Sequence, residues 1–496
     1  MIIIKGRRDF PKGNREFGLD KYTNPKICSL PTVDELRSEL LENQGSDVRS
    51  QIASLFDSET FVELGAYTKR GFSDFIATEK SNELEGVICG YGAVDGKLTF
   101  VFAEDATRMG GAIDERHAKK IEDIYSLAIK NGAPIIGIFN SSGTDIFAGT
   151  AGLAAYGRIM ASVNRASGVI PQIAYVAGKC LGLSSAIAAM FDFTVKNEKS
   201  ALYVSSPALS GVENFESSTV AYSGDEMSCL GYIRTLVSFL PSNCDEGVIV
   251  NPCTDNLNKM IGELDFGGDA LTVVSTIADN GVFYNVCGDF ASSVSTVFTT
   301  IAGVRCGVVA NSYKENEGRI DASAARKIAK FVNFCDSFSI PVVTLVDSLG
   351  LVVDGENEKR FFAPELARLA TAYVSATVPK ITVIIGHAIG ASYVLLGSKS
   401  LGADLVYAVS ESEICALNAE SGVAFAWDKY ITLEKTRDEL IGEWKASVSS
   451  PARAAASGEI DDIISVNEMR ARICSALLML SEKGQSSLFG RKVLPL

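Results

Sequence analysis

At 496 residues the chain is long for one hydrophobic core, and two domains of roughly 200 to 250 residues are expected. A hydrophobic fraction of 47% beside 21% charged residues is that of a globular protein, which excludes extensive disorder. A formal net charge of −14 opposes nucleic-acid binding, and with no continuous apolar run of about 18 residues and no signal-like N-terminus the expectation is a soluble, cytoplasmic protein.

The first fifty residues mix charge, Pro and Gly, and Val33-Asp34-Glu35-Leu36 opens a helix. From Phe61-Val62-Glu63-Leu64 strand signals thicken. Gly86 to Gly92 and Lys97 to Ala103 read as two strands joined at Asp95-Gly96, a hairpin cue. Eleven cysteines without a CxxC or a zinc-like His/Cys spacing read as reduced core thiols, with no metal. With only two histidines, His117 and His387, histidine chemistry is sparsely supplied.

The segment Gly110–Gly143, GGAIDERHAKKIEDIYSLAIKNGAPIIGIFNSSG, matches Glu317–Gly350, EGRIDASAARKIAKFVNFCDSFSIPVVTLVDSLG, without a gap. Ala118, Ile121, Ile124, Tyr125 and Ala128 fall at helical spacing, as do Ala325, Ile328, Phe331, Val332 and Cys335 in the copy. Each amphipathic helix is followed by a proline and an apolar run, IIGIF or VVTLV, short enough for a buried strand. A second repeat follows. Ile173–Ala177 runs into Gly178-Lys179-Cys180-Leu181-Gly182-Leu183-Ser184, and Ile381–Ile385 into Gly386-His387-Ala388-Ile389-Gly390-Ala391-Ser392-Tyr393. Both read as strand, glycine turn and helix start, where unpaired backbone amides can hold an oxyanion. Two such turns suggest two anionic intermediates, and the repeats suggest a duplicated domain.

The runs GVICGYGAVDGKLTFVFAEDATRMGGAIDERHAKKI, GAPIIGIFNSSG, ASGVIPQIAYVAGKCLG, FCDSFSIPVVTLVD, ATVPKITVIIG and GSKSLGAD, in that order, resemble the carboxyltransferase subunit of biotin-dependent acyl-CoA carboxylases and related decarboxylases. The resemblance covers about Phe61 to Leu496. It implies an α/β fold of two tandem crotonase-like domains of ββα units: residues 1–250 on the acyl-CoA side and residues 251–496 on the biotin side. It further implies carboxyl transfer between carboxybiotin on a separate carrier and a short acyl-CoA of the acetyl or propionyl type. By matching position, Gly182 and Leu183 hold the thioester oxygen, while Gly390, Ala391 and Ser392 hold the biotin oxygen. Gly143, Gly178, Gly386 and Tyr393 are the expected ligand-binding positions around them. The implied partners are biotin carboxyl carrier and biotin carboxylase subunits, since no biotin-attachment motif or ATP-binding loop is present, together with copies of the chain itself in a dimer-based assembly or hexamer.

Several positions depart from the family pattern. Leu183 stands where a second glycine is usual, and Asn140-Ser141-Ser142-Gly143-Thr144-Asp145 puts an acid where a cation is usual, near the expected path of CoA phosphates. Leu349-Gly350-Leu351 replaces Pro-Gly-Phe, Val394 replaces an acid linked to acyl-chain choice, and the Gly211–Pro241 region is shortened. Lys179 and His387 share one slot of the two turns and read as solvent-facing turn residues, and His117 as part of a solvated helix face. Arg108 and Arg116 are weak phosphate candidates. Three alternatives stay open: a biotin-dependent methylmalonyl-CoA-type decarboxylase subunit, a catalytically weak paralogue that supports an active subunit, and a CoA-binding hydratase. The last would need paired glutamates beside the turns, and Gly182 has none.

Overall fold

The computed structural model describes residues 32–42, 46–70, 84–145, 148–211, 220–262, 268–359, 361–432 and 435–483. The apolar run at Met1–Arg8 and residues 212–219 of the shortened region lie outside these. The chain divides into two units, Met1–Gly45 and Ser46–Leu496. In the first, the expected helix spans Val33–Glu42 and starts on a reciprocal cap: the Thr32 amide donates to Glu35 Oε2 (2.7 Å) and the Glu35 amide to Thr32 Oγ1 (3.3 Å).

Two eight-stranded mixed sheets build the second unit. The first contains β1 (Val62–Leu64), β2 (Val87–Val94), β3 (Lys97–Glu104), β4 (Ile135–Ser141), β5 (Gln172–Leu181), β6 (Phe193–Asn197), β7 (Ala201–Tyr203) and β8 (Val220–Gly224). The second contains β9 (Phe283–Val286), β10 (Val294–Ile301), β11 (Val304–Asn311), β12 (Val342–Ser348), β13 (Lys380–Ile389), β14 (Leu405–Val409), β15 (Glu413–Cys415) and β16 (Asp462–Ile464). The strand orders are β1-β2-β3-β4-β5-β6-β8 with β7 beside β5, and β9-β10-β11-β12-β13-β14-β16 with β15 beside β13. In each sheet the first three strands are antiparallel and the rest parallel. One topology therefore occurs twice, as the sequence repeats imply.

Local chemistry explains the elements. The β2–β3 hairpin turns on Asp95 (φ 48°) and Gly96 (φ 76°), the two positive φ angles that a tight hairpin requires. Asp57 accepts both turn amides, at 3.1 and 2.8 Å. The helix Glu115–Asn131 begins where the Asp114 carboxylate accepts the amides of Arg116 and His117, and it ends at left-handed Gly132. Its copy, Ala322–Ser337, begins on Asp321 in the same way. Every apolar position predicted to face inward on these two helices is buried.

The sheets share a core within the unit. Phe193 of β6 stacks edge-on against Phe298 of β10 (ring centroids 5.8 Å apart) and Phe334 of the second helix (4.6 Å). Such pairs contribute about 0.5–1.5 kcal/mol each beyond burial. Backbone and phenol bonds add to the joint: the Cys287 amide donates to the Ala221 carbonyl at 2.8 Å, and Tyr232 Oη to the Asn285 carbonyl at 2.8 Å. The ten cysteines among the described residues are all free thiols. No helix among the described residues is long and apolar enough to cross a membrane.

Candidate active site

Each sheet ends its fifth strand in one glycine. Gly182 follows β5 with φ 59° and ψ −125°, and Gly390 follows β13 with φ 62° and ψ −135°, a region that only glycine enters without strain. The helices Leu183–Ala189 and Ala391–Leu395 begin at the next residue. The repeat therefore extends to backbone angles, which agree within about ten degrees, inside the usual scatter of regular elements.

Gly178 and Gly386 were expected in the turns, but both lie inside their strands. Their lack of a side chain makes room for a neighbour: a Cβ would stand 2.2 Å from Asn140 Oδ1 at Gly178 and 2.4 Å from Asp347 Oδ1 at Gly386. Those oxygens accept the next amide along, Lys179 N–H at 3.1 Å and His387 N–H at 2.8 Å. Register irregularities between Phe139 and Ser141, and between Val346 and Ser348, give Asn140 and Asp347 their place in this crossing. Gly143 (φ 115°) and Gly350 (φ 112°) follow, each with its amide on a serine hydroxyl, Ser141 at 3.0 Å and Ser348 at 3.2 Å.

The donors are also narrower than the glycines suggest. The Gly182 amide donates to the Tyr203 carbonyl (3.1 Å) and the Gly390 amide to the Cys415 carbonyl (2.8 Å), so both are engaged in sheet pairing. At the first helical positions, Leu183, Ala391 and Ser392 have amides with no carbonyl four residues back inside their own helix. Leu183 is 47% exposed, and among the described residues a Cβ on Gly182 would meet nothing within 4 Å.

A cavity of about 590 Å³ adjoins the second turn. Gly390, Ala391, Tyr393 and Val394 line one side, and Ile414, Val448, Ala454, Arg453 and Glu459 belong to its wall. Tyr393 Oη donates to Glu459 Oε2 at 3.2 Å, and burial followed by the Glu459 charge pushes the phenol up to about 12, so it stays a donor near neutral pH. Arg453 and Glu459 lie 63 and 69 residues beyond Gly390, outside both repeats, and no local pattern in the sequence singles them out.

Polar groups are buried behind the first turn. Glu104 accepts the Asn140 amide at 2.8 Å; burial pushes its carboxyl up to about 7, while His117 pulls the other way. His117 was expected on a solvated face and is instead fully buried, with Nδ1 3.5 Å from Glu85 Oε1. Asp145 does not face the expected phosphate path: it is buried and paired with Arg70 at 2.9 Å. Arg116 spends Nη1 on the carbonyls of Lys69 (2.9 Å) and Arg70 (3.0 Å), and Arg108 lies 3.7 Å from Asp105, so both arginines are engaged within the fold. His387 and Lys179 are strand residues rather than turn residues. Lys179 is exposed, while the His387 ring is tied through Nδ1 to Asp347 Oδ1 at 2.8 Å and stacked on Tyr313.

Two sheets of one topology, each ending in the same glycine turn, are the crotonase-like fold of carboxyltransferases that act on CoA esters. The chain matches the carboxyl transferase domain over residues 43–493 and belongs to that family of biotin-dependent carboxyltransferases. It is 34% identical to the methylmalonyl-CoA decarboxylase subunit alpha of Veillonella parvula, over 91% of this chain and 93% of that one. It is also 34% identical to a putative propionyl-CoA carboxylase beta chain of Bacillus subtilis, over 88% and 90%. Its structure is similar to that of a transcarboxylase 12S hexamer with methylmalonyl-CoA bound, with a TM-score of 0.84 and 31% identity over 91% of this chain and 93% of the other.

Proposed function

We propose that this carboxyltransferase moves a carboxyl group between biotin borne by another protein and a short acyl-CoA, with the propionyl and methylmalonyl pair as the first candidates. The observation that carries this reading is the twice-built turn, with the same backbone angles at Gly182 and Gly390. Biotin supplies the ureido nitrogen that carries the carboxyl group, and it arrives as a substrate rather than a resident group. In the carboxylating direction the acyl-CoA α-carbon gives up a proton and gains the carboxyl carbon, and the ureido nitrogen loses that carbon and gains the proton. Negative charge develops on the thioester oxygen and on the ureido oxygen.

Leu183 N–H is the donor proposed for the thioester oxygen, with the N-terminal domain, residues 1–250, on the acyl-CoA side. Ala391 and Ser392 N–H are those proposed for the ureido oxygen, with residues 251–496 on the biotin side. The cavity beside Ala391 suits such a ring, because its lining is mainly apolar with a few polar groups. Gly182 and Gly390 set the turns, and Gly178, Gly386 and Gly143 shape the strand and loop behind them. The proposed partners are a biotin carrier and a biotin carboxylase, which the family resemblance implies, and further copies of this chain, which the hexamer of the similar transcarboxylase 12S supports. The decarboxylase reading stands beside it, because a decarboxylase alpha subunit is as similar to this chain as a carboxylase beta chain. The weak-paralogue reading loses the support of Asp145, which is neutralised by Arg70 instead of facing a ligand.

Incubation of the purified protein with methylmalonyl-CoA and free biotin tests this directly, with CoA esters followed by chromatography. Biotin-dependent formation of propionyl-CoA is expected. Binding of CoA esters without any biotin-dependent turnover contradicts catalysis and leaves the supporting-subunit reading.

A further inference from the structure

The cavity beside the second turn presents three kinds of polar group on an apolar wall. Ala391, the first residue of the helix, offers its amide. Glu459 has Oε2 engaged by the Tyr393 phenol (3.2 Å), and Oε1 has no partner among the described residues. Arg453 belongs to the same wall, and among the described residues its guanidinium makes neither an ion pair nor a hydrogen bond. Arg453 is exposed at the edge of this concave, largely apolar site, where its guanidinium is free to take a carboxylate through two parallel N–H donors. A carboxylate held at one oxygen and open at the other is prepared for an N–H donor.

A ureido ring carboxylated on one nitrogen shows the complementary set: a free N–H, a carbonyl oxygen and a carboxylate. We propose that Glu459 and Arg453 are the side chains that read this ring, Glu459 accepting the free ureido N–H and Arg453 holding the carboxylate, in the cavity that the Ala391 amide also lines. The inference rests on the reading of the second turn as the biotin side. It assigns specificity to two residues outside the repeated motifs. Apolar Ile414, Val394, Val448 and Ala454 provide the wall against which the ring packs, and the high phenol pKa keeps Tyr393 a donor that orients Glu459.

The two contacts separate experimentally, because uncarboxylated biotin has the N–H but not the carboxylate. Saturation-transfer NMR with biotin methyl ester reads binding without turnover. Glu459→Gln is expected to weaken that binding about 10-fold, and Arg453→Gln to leave it unchanged. In transfer from methylmalonyl-CoA to free biotin, Glu459→Gln is expected to raise KM for biotin. Arg453→Gln is expected to lower kcat about 10-fold with Arg453→Lys intermediate, and both variants should keep the KM for the CoA ester. Both side chains are exposed, so thermal midpoints should match the parent. A changed KM for the CoA ester with unchanged biotin binding overturns the assignment and gives the cavity to the acyl-CoA. Biotin ester bound by the parent and unaffected by Glu459→Gln also overturns it. Absence of transfer by the parent, with ester binding weakened by Glu459→Gln, leaves the assignment standing and removes only the catalytic reading.

Discussion

Leu183 and Ala391 each occupy the first helical position after a glycine, and this gives a clean way to delete one proposed donor. Proline is favoured there, because that amide has no helical partner and the required φ is already that of the ring. Glycine before it has no Cβ to clash. Leu183→Pro and Ala391→Pro are therefore expected to keep thermal midpoints within a few degrees and to lower carboxyl transfer about 10²- to 10³-fold, as loss of an oxyanion donor does elsewhere. Equal loss of stability and activity would make these amides structural. His387 allows a second test. Burial alone would lower its pKa, but the bond to Asp347 and its charge, with Glu413 adding to it, raise it overall, against an opposing contribution from Lys445. A raised folded value gives stability fully present below the unfolded pKa near about 6.5 and lost as pH rises through the folded value. His387→Gln should therefore cost more stability in urea at pH 6 than at pH 9; equal costs would mean the ion pair contributes nothing. His117 shows what the sequence offered at this scale. It is four residues before Ile121 and seven before Ile124, so its spacing alone put it on the buried face, and Ala324 in the copy is fully buried too. Asp145 offered no such cue, because its neutralising partner Arg70 is 75 residues away.

Helices and parallel strands were legible because their patterns are local. The 3.6-residue spacing of Ile121, Ile124, Tyr125 and Ala128 and the short apolar runs after Pro134 and Pro341 state what each segment buries. Turn positions were less legible, because a glycine has several reasons to exist. At Gly178 the reason is Asn140, whose side chain crosses onto β5 from β4, a contact that no local pattern encodes. Gly178→Ala and Gly386→Ala place a methyl about where Asn140 and Asp347 keep an oxygen, so each is expected to destabilise by about 1–3 kcal/mol, the usual cost of overpacking. Among the described residues Gly143→Ala meets no atom within 4 Å, and its φ of 115° is what opposes it. Denaturant midpoints compare the three; a tolerated Gly178→Ala would show that Asn140 moves aside freely and does not fix the strand end.

At the scale of the whole molecule the repeat offset was the most informative signal. β2, β3 and β4 recur 207 residues on as β10, β11 and β12, and β5 recurs 208 on as β13, with strand order and direction preserved throughout. The sequence did not disclose how Phe193, Phe298 and Phe334 join the two sheets, since each aromatic reads only as core of its own segment. We propose that the two turns act on one carboxyl group and that, as the family resemblance implies, the first turn of one copy of the chain meets the second turn of another, because near-attack geometry needs the two anions within a few ångströms. Mixing Leu183→Pro with Ala391→Pro, each inactive alone, tests it most directly, with subunit exchange followed by a labelled copy and activity measured as carboxyl transfer between methylmalonyl-CoA and free biotin. Partial recovery on exchange is predicted, because some sites then combine an intact first turn with an intact second. Confirmed exchange without recovery would contradict the claim.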